Sequence, residues 1–480
     1  MRQFPLIRLL LLLLTAHYAA TGQAISNRPA SPAVQLVPKV DQRVELLSII
    51  FRLAGNDEYN GDQFKKYVQD IHEHFDAYQT HPAVAMAKQL AHDNGVGYDA
   101  VMSMAIHLEQ PPSLKPIYAF TKAQLDKRWG ATNAEAFAKL VQRFYQDTHC
   151  QSFFDKHKAM YQTAVDRFNQ VLSQVDVSWY KQYYGTLPTG KFNVVIGIGN
   201  GGGNFGPKVL LPNGQEEIYA IMGTWAVDST DTPTYMAASV LPTIIHEFNH
   251  SFVNPLIDKH EDELEAAGKA IFPGVADQMH RQAYGNWKTM FYESLVRASV
   301  IRYLTTHEPD GQAARQQLRT EEANGFIWTQ GLVDLLGEYE SSRTKYPTLA
   351  SFMPQINQFF QSTATNFATL QQQYNQKRAH VVAVEPIQQN TADVDPTVTE
   401  LVIRFDKPLN PKKLSISFGD GGKPHFPLTD VIGFADDNRS LRLKVNLKPD
   451  WQYSFKLTSK GFQTPEGYPL ADHEVAFKTK

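Results

Sequence analysis

The spacing of hydrophobic residues changes along this 480-residue chain, and that change limits what it can fold into. From about Val40 to Tyr184 the spacing is helical, as in Val44, Leu46, Leu47 and Ile50, and again in Phe137, Leu140, Val141 and Phe144. After Val384 the period becomes two. Leu401, Ile403 and Phe405 alternate with polar residues, as do Leu441, Leu443, Val445 and Leu447, then Tyr453, Phe455 and Leu457, then Val475 and Phe477. A helical period buries a stripe and a period of two buries one face of a strand. The two ends of the chain therefore need different packing. The reading is α+β: a helical region over 40–190, a mixed region over 191–378, and an all-β sandwich over 384–480.

The mixed region is the most informative. Phe192-Asn193-Val194-Val195-Ile196 predicts a strand, and a glycine-rich stretch follows from Gly197 to Gly206. Lys208 to Leu211 and Glu217 to Ile221 predict two more strands, joined through the hairpin signal Pro212-Asn213-Gly214. A helix is expected over 241–253, with Pro242 near its first turn and Pro255 just beyond its end. A second helix is expected over 287–304 and further helix over 310–377. Together these suggest a small sheet packed on the two helices.

The N-terminus carries Arg2 and Arg8, then the apolar run Leu9 to Leu14, then small residues ending at Ala24. That is the pattern of a secretory signal over 1–24, and the run falls short of the ~20 apolar residues that span a bilayer. A secreted, periplasmic or cell-envelope protein is expected, with no membrane span once the signal is removed. Residues 25–39, with Pro29, Pro32 and Pro38, read as an unstructured leader or linker. The net charge of −3 gives no basic field for nucleic acid. Cys150 is the only cysteine, so no intramolecular disulfide can form, and a buried structural thiol is the expected role.

Chemistry enters at His246-Glu247-Phe248-Asn249-His250. Histidines four apart share one helix face and can reach one metal ion, with Glu247 beside them to polarise a bound water. The surrounding Leu241, Ile244, Ile245, Phe248, Phe252 and Val253 predict a nearly buried helix. Two imidazoles and a carboxylate buried there need a partner, and a cation is one. A third ligand is needed, and Glu293 is the best candidate, on a helix with Met290, Phe291, Leu295, Val296 and Val300. Arg297, one turn later, is placed to orient or neutralise it; Asn254 is placed to support His250. Tyr284 is the first candidate for stabilising an oxyanion and His280 the second.

A helix bearing His-Glu-x-x-His with a glutamate on a later helix resembles the gluzincin superfamily of zinc peptidases. More closely, the chain resembles a group of secreted bacterial proteins within it, through Val44-Glu45-Leu46-Leu47-Ser48-Ile49-Ile50, His246 to Pro255, and Glu293-Ser294-Leu295-Val296-Arg297-Ala298. The resemblance implies a zinc metallopeptidase acting on a peptide or protein, with His246, His250 and Glu293 holding Zn2+ and Glu247 as general base and acid. Tyr292 stands where the better-known members carry asparagine before the glutamate. The β region resembles bacterial Ig-like modules through Asp395-Pro396 and Ile403 to Leu409. Two alternatives remain: a non-catalytic envelope binding or adhesion protein with a structural metal, and a zinc hydrolase of a non-peptide amide or ester. Gly197-Ile198-Gly199-Asn200-Gly201-Gly202 imitates a dinucleotide fingerprint, but strand-like residues follow it where that fold needs a helix. Its bare backbone would instead suit an extended peptide.

Overall fold

The helix Gln42–Leu53 opens the helical region, and every residue from Arg43 to Arg52 is buried. It can carry charge into the core because each charge has partners. Asp41 caps the helix and pairs with Arg43 through Nε (2.9 Å) and Nη2 (2.7 Å), while Arg43 Nη1 reaches the Leu108 carbonyl at 2.8 Å. Further helices pack around it, the longest being Cys150–Leu172, which begins at the buried Cys150. The computed structural model describes residues 36–480, apart from 62, 121–124, 187–189, 309 and 388–391. The expected signal segment and residues 25–35 of the leader lie outside the described residues. The end of that leader is not unstructured: Leu36 is buried in the core, and Pro38–Lys39 form a strand.

That strand, β1, belongs to a four-stranded sheet of order β1-β2-β4-β3, with β2 at Gly190–Gly197, β3 at Lys208–Leu210 and β4 at Glu216–Gly223. β1 and β4 run parallel to β2, and β3 pairs antiparallel with β4 in the register Lys208↔Ile218 and Leu210↔Glu216. The central strands are apolar runs because both faces are covered, with Val194, Val195, Ile196, Ala220, Ile221 and Met222 all buried. The expected hairpin forms between β3 and β4, with Gly214 at φ +80°, a turn conformation that favours glycine. Beyond the sheet, β5 (Ala226–Val227) pairs with β6 (Pro233–Thr234).

Next comes the motif helix, Ala237–Lys259, longer at both ends than expected. It passes through Pro255 instead of stopping before it. A proline inside a helix removes one hydrogen bond and costs about 3 kcal/mol; Ile257, fully buried just beyond that proline, offsets this by packing. Phe192 from β2 stacks on Phe248 at 4.1 Å, and Tyr184 stacks on Phe252 at 4.2 Å, which fixes the helix against the sheet and the helical region. The candidate ligand helix, Trp287–His307, which carries Glu293, starts at an Asn286 cap whose Oδ1 accepts from Thr289 N at 2.9 Å. It packs across the motif helix and buries residues on almost every side. Helices Gln312–Ala323, Thr329–Ser341, Leu349–Thr365 and Phe367–Lys377 complete this region.

The C-terminal region is all-β. One sheet, of order β10-β11-β8-β7, joins β7 (Val381–Glu385), β8 (Glu400–Phe405), β10 (Leu428–Phe434) and β11 (Ser440–Val445). The other, of order β13-β12-β9, joins β9 (Ile416–Phe418), β12 (Gln452–Leu457) and β13 (His473–Lys478). The alternating residues Leu401, Ile403, Leu441, Leu443, Phe455, Leu457 and Val475 share one core between them. The chain is thus α+β. No described helix is long and apolar enough to cross a membrane.

Candidate metal centre

The motif helix turns Ile244, Ile245, Phe248, Asn249 and Val253 into the core and leaves His246, Glu247 and His250 on its partly open face. Crossing it, the ligand helix brings Glu293 to the same point. His246 Nε2 and His250 Nε2 lie 3.1 Å apart. Glu293 Oε2 is 3.5 Å from His246 Nε2, and Glu293 Oε1 is 3.5 Å from His250 Nε2. A tetrahedral centre with ligand bonds of about 2.0–2.1 Å separates its ligand atoms by about 3.3–3.4 Å, so these three donors fit one small divalent ion. They are the one group of three or more such side chains that can converge on an ion among the described residues. His250 Nδ1 lies 3.1 Å from Asn254 Oδ1; that contact puts the proton on Nδ1 and leaves Nε2 with a free lone pair. Burial pushes His246 down to about 3, so it offers a neutral imidazole.

A buried network stands behind Glu293. Burial opposes its charge, but His246, Arg297 and His250 together hold the carboxyl below the ordinary range. Arg297 Nε donates to Glu293 Oε2 at 3.0 Å, its Nη2 donates to the Tyr284 hydroxyl at 2.8 Å, and its Nη1 donates to Glu321 Oε2. The guanidinium also lies over the Phe326 ring, 4.8 Å from its centroid. The Glu293–Arg297 pair is thus buried, and it has a second carboxylate.

An open cavity of about 470 Å³ leads to the centre, lined by His246 and Glu247 and by Asn204, Thr243, Arg297 and Gln317 among others. Burial pushes Glu247 up to about 7. Gly206 presses against it so closely that a Cβ there would meet Glu247 Oε2 at 2.6 Å. Asn204 Oδ1 accepts the Gly223 N–H at 3.0 Å, which leaves its Nδ2 to the cavity.

Two expectations are corrected here. Neither Tyr284 nor His280 lines this cavity. The Tyr284 hydroxyl accepts from Arg297 and hydrogen-bonds the Glu293 carboxylate, so it supports Glu293 from behind, and His280 is exposed and packs edge-on to Phe272. The glycine-rich stretch is not bare at its start either, because Ile198 N and Gly199 N both donate to Glu45, at 2.7 and 3.0 Å. The free edge nearest the site is β3. Asn204, Gly206, Glu45 and Glu321 were given no role from sequence. Their partners lie far off in the chain or on other helices, and no local spacing signals them.

The fold and site define an α+β protein with a converging His-His-Glu donor set beside a cavity. It belongs to a family described as a domain of unknown function (DUF4932), whose profile matches residues 36–359. No curated protein matches the chain. Among solved structures, it is similar to CopC from Methylosinus trichosporium OB3b, with 20% identity over 22% of this chain and 94% of that one, at a TM-score of 0.18. It is also similar to domains 1–6 of the surface layer protein SbsC, with 18% identity over 53% of this chain and 35% of that one, at a TM-score of 0.17. Likenesses this weak carry no argument about fold or function.

Proposed function

We propose that this protein is an exported, zinc-dependent hydrolase of peptide bonds, similar in its chemistry to gluzincin peptidases. The observation that carries the proposal is the convergence of His246, His250 and Glu293 at tetrahedral spacing beside Glu247, with His246 and Glu247 on the wall of an open cavity. Zinc held by these three donors would supply a Lewis acid that acidifies water and polarises a carbonyl. Glu247 takes the proton from the attacking water and returns it to the leaving amine. Gly206, with no side chain, lets the backbone beside β3 approach Glu247. An extended peptide would add to the outer edge of β3, the edge strand that begins two residues after Gly206. Asn204 Nδ2 is a donor for a substrate carbonyl in the same cavity.

The open cavity favours this reading over a purely structural metal in a binding or adhesion protein, since structural zinc sites are closed. An amide or ester other than a peptide would use the same groups. The C-terminal β region, read as an Ig-like module, serves as a spacer or contact domain. The test is the zinc content of the chain beginning at residue 25, beside Glu293→Ala prepared identically, followed by a peptide screen with Glu247→Gln as control. About one zinc per chain, lost in Glu293→Ala, supports the site. A chain that stays free of metal after zinc is supplied and the excess dialysed away overturns the catalytic reading.

A further inference from the structure

We infer that Glu321, which is not one of the three donors, sets how tightly the centre holds its metal by sharing Arg297 with Glu293. The inference rests on the metal reading above. Arg297 sits four residues after Glu293 on the ligand helix, and its side chain is only 12% exposed. Its cation is fixed 3.0 Å from Glu293 Oε2, the oxygen that faces His246. Left alone, that cation would act against a metal twice over: it occupies a lone pair of a ligand oxygen, and it repels a divalent ion in a setting with little water to screen it. Glu321, on the helix Gln312–Ala323 and 3% exposed, receives Arg297 Nη1 and offsets the charge. Glu321 is itself held, with Gln317 Nε2 donating to its Oε1 at 2.5 Å and Asn324 Nδ2 lying 3.5 Å from its Oε2. Two anions thus share one guanidinium. The more of Arg297 that Glu321 takes, the more of Glu293 is free for the metal.

Charge balance and mere support of the fold predict different outcomes for a pair of variants. Glu321→Gln keeps the shape and an acceptor for Arg297 but removes the opposing charge. Arg297→Gln/Glu321→Gln removes both charges and leaves neither buried alone. Zinc affinity is read by competition with a chromophoric chelator on the chain beginning at residue 25, with thermal unfolding recorded for each variant. Glu321→Gln is expected to bind zinc about tenfold more weakly, the scale on which groups behind a ligand act. The double variant is expected to return to within about threefold of the unaltered chain. A structural role would make the double variant at least as weak as the single one. Zinc affinity of Glu321→Gln within about twofold of the unaltered chain overturns the inference, and so does a double variant tenfold or more weaker than that chain. If Glu321→Gln does not fold, the double variant decides by the same limits. An unaltered chain that binds no zinc overturns the metal site itself and this inference with it.

Discussion

Glu45 ties the helical region to the sheet, and that tie should titrate. Its carboxyl is fully buried and accepts from Ile198 N, Gly199 N and the Tyr67 hydroxyl, the last at 2.9 Å. Tyr161 bonds Tyr67 in turn, at 2.6 Å, and Asp41 adds a repulsive charge from the cap of the helix that carries Glu45. Burial outweighs the three donors and raises Glu45 from 4.5 to about 7. Between those values the folded chain keeps a proton that the unfolded chain releases. The stabilisation is therefore complete below pH 4.5 and is lost as pH rises through about 7. At about 1.4 kcal/mol per pH unit, the loss comes to roughly 3 kcal/mol. Glu45→Gln cannot titrate, so its cost in hydrogen bonds is the same at every pH. In urea unfolding followed by tryptophan fluorescence, the unaltered chain should lose roughly 3 kcal/mol relative to Glu45→Gln between about pH 4.5 and pH 8. Parallel stability curves for the two proteins would refute the argument.

Glu247→Gln should retain zinc and lose hydrolysis by a factor of about 10² to 10⁴, measured as turnover of a cleaved peptide at equal metal content. Gly206→Ala drives a methyl group into Glu247 Oε2; turnover should fall about tenfold or more while zinc affinity stays near that of the unaltered chain, and unchanged turnover would contradict the close approach. Zinc at about a thousand times its Kd should stabilise the chain by about 4 kcal/mol, seen as a higher Tm that chelation reverses and Glu293→Ala abolishes. Phe455→Ala, in the core of the β region, should destabilise that region by about 3–5 kcal/mol in calorimetry and leave zinc affinity unaltered.

The meeting of His246, His250 and Glu293 was legible in sequence because each is a polar side chain beside apolar neighbours on its helix: they stand out against Ile244, Ile245, Phe291 and Leu295. The strands were legible from β-branched runs and turn residues, and the hairpin at Pro212-Asn213-Gly214 formed where they placed it. The end of the motif helix was not, because burial of Ile257 is a tertiary gain that no local proline rule includes. The setting of Tyr284 was not legible for a similar reason. A tyrosine near a site reads as an oxyanion donor until its partners are known, and here the hydroxyl accepts from Arg297 and bonds Glu293. Glu45 and Glu321 escaped notice because each acts on groups distant in sequence. Glu45 meets backbone more than 150 residues away, and Glu321 meets Arg297 from a different helix.

Cys150 has a practical consequence. It is the sole cysteine of the chain, it is buried, and burial pushes its thiol up to about 12. At neutral pH it is neither ionised nor within reach of a reagent. The native protein is therefore already silent towards maleimides, and one introduced cysteine becomes a unique attachment point without any background to remove. Met236, 66% exposed and immediately before the motif helix, is a natural place for it. A fluorophore on Met236→Cys would sit beside Ala238 and Ser239 of the cavity wall and report its occupancy optically, in a chain otherwise unaltered.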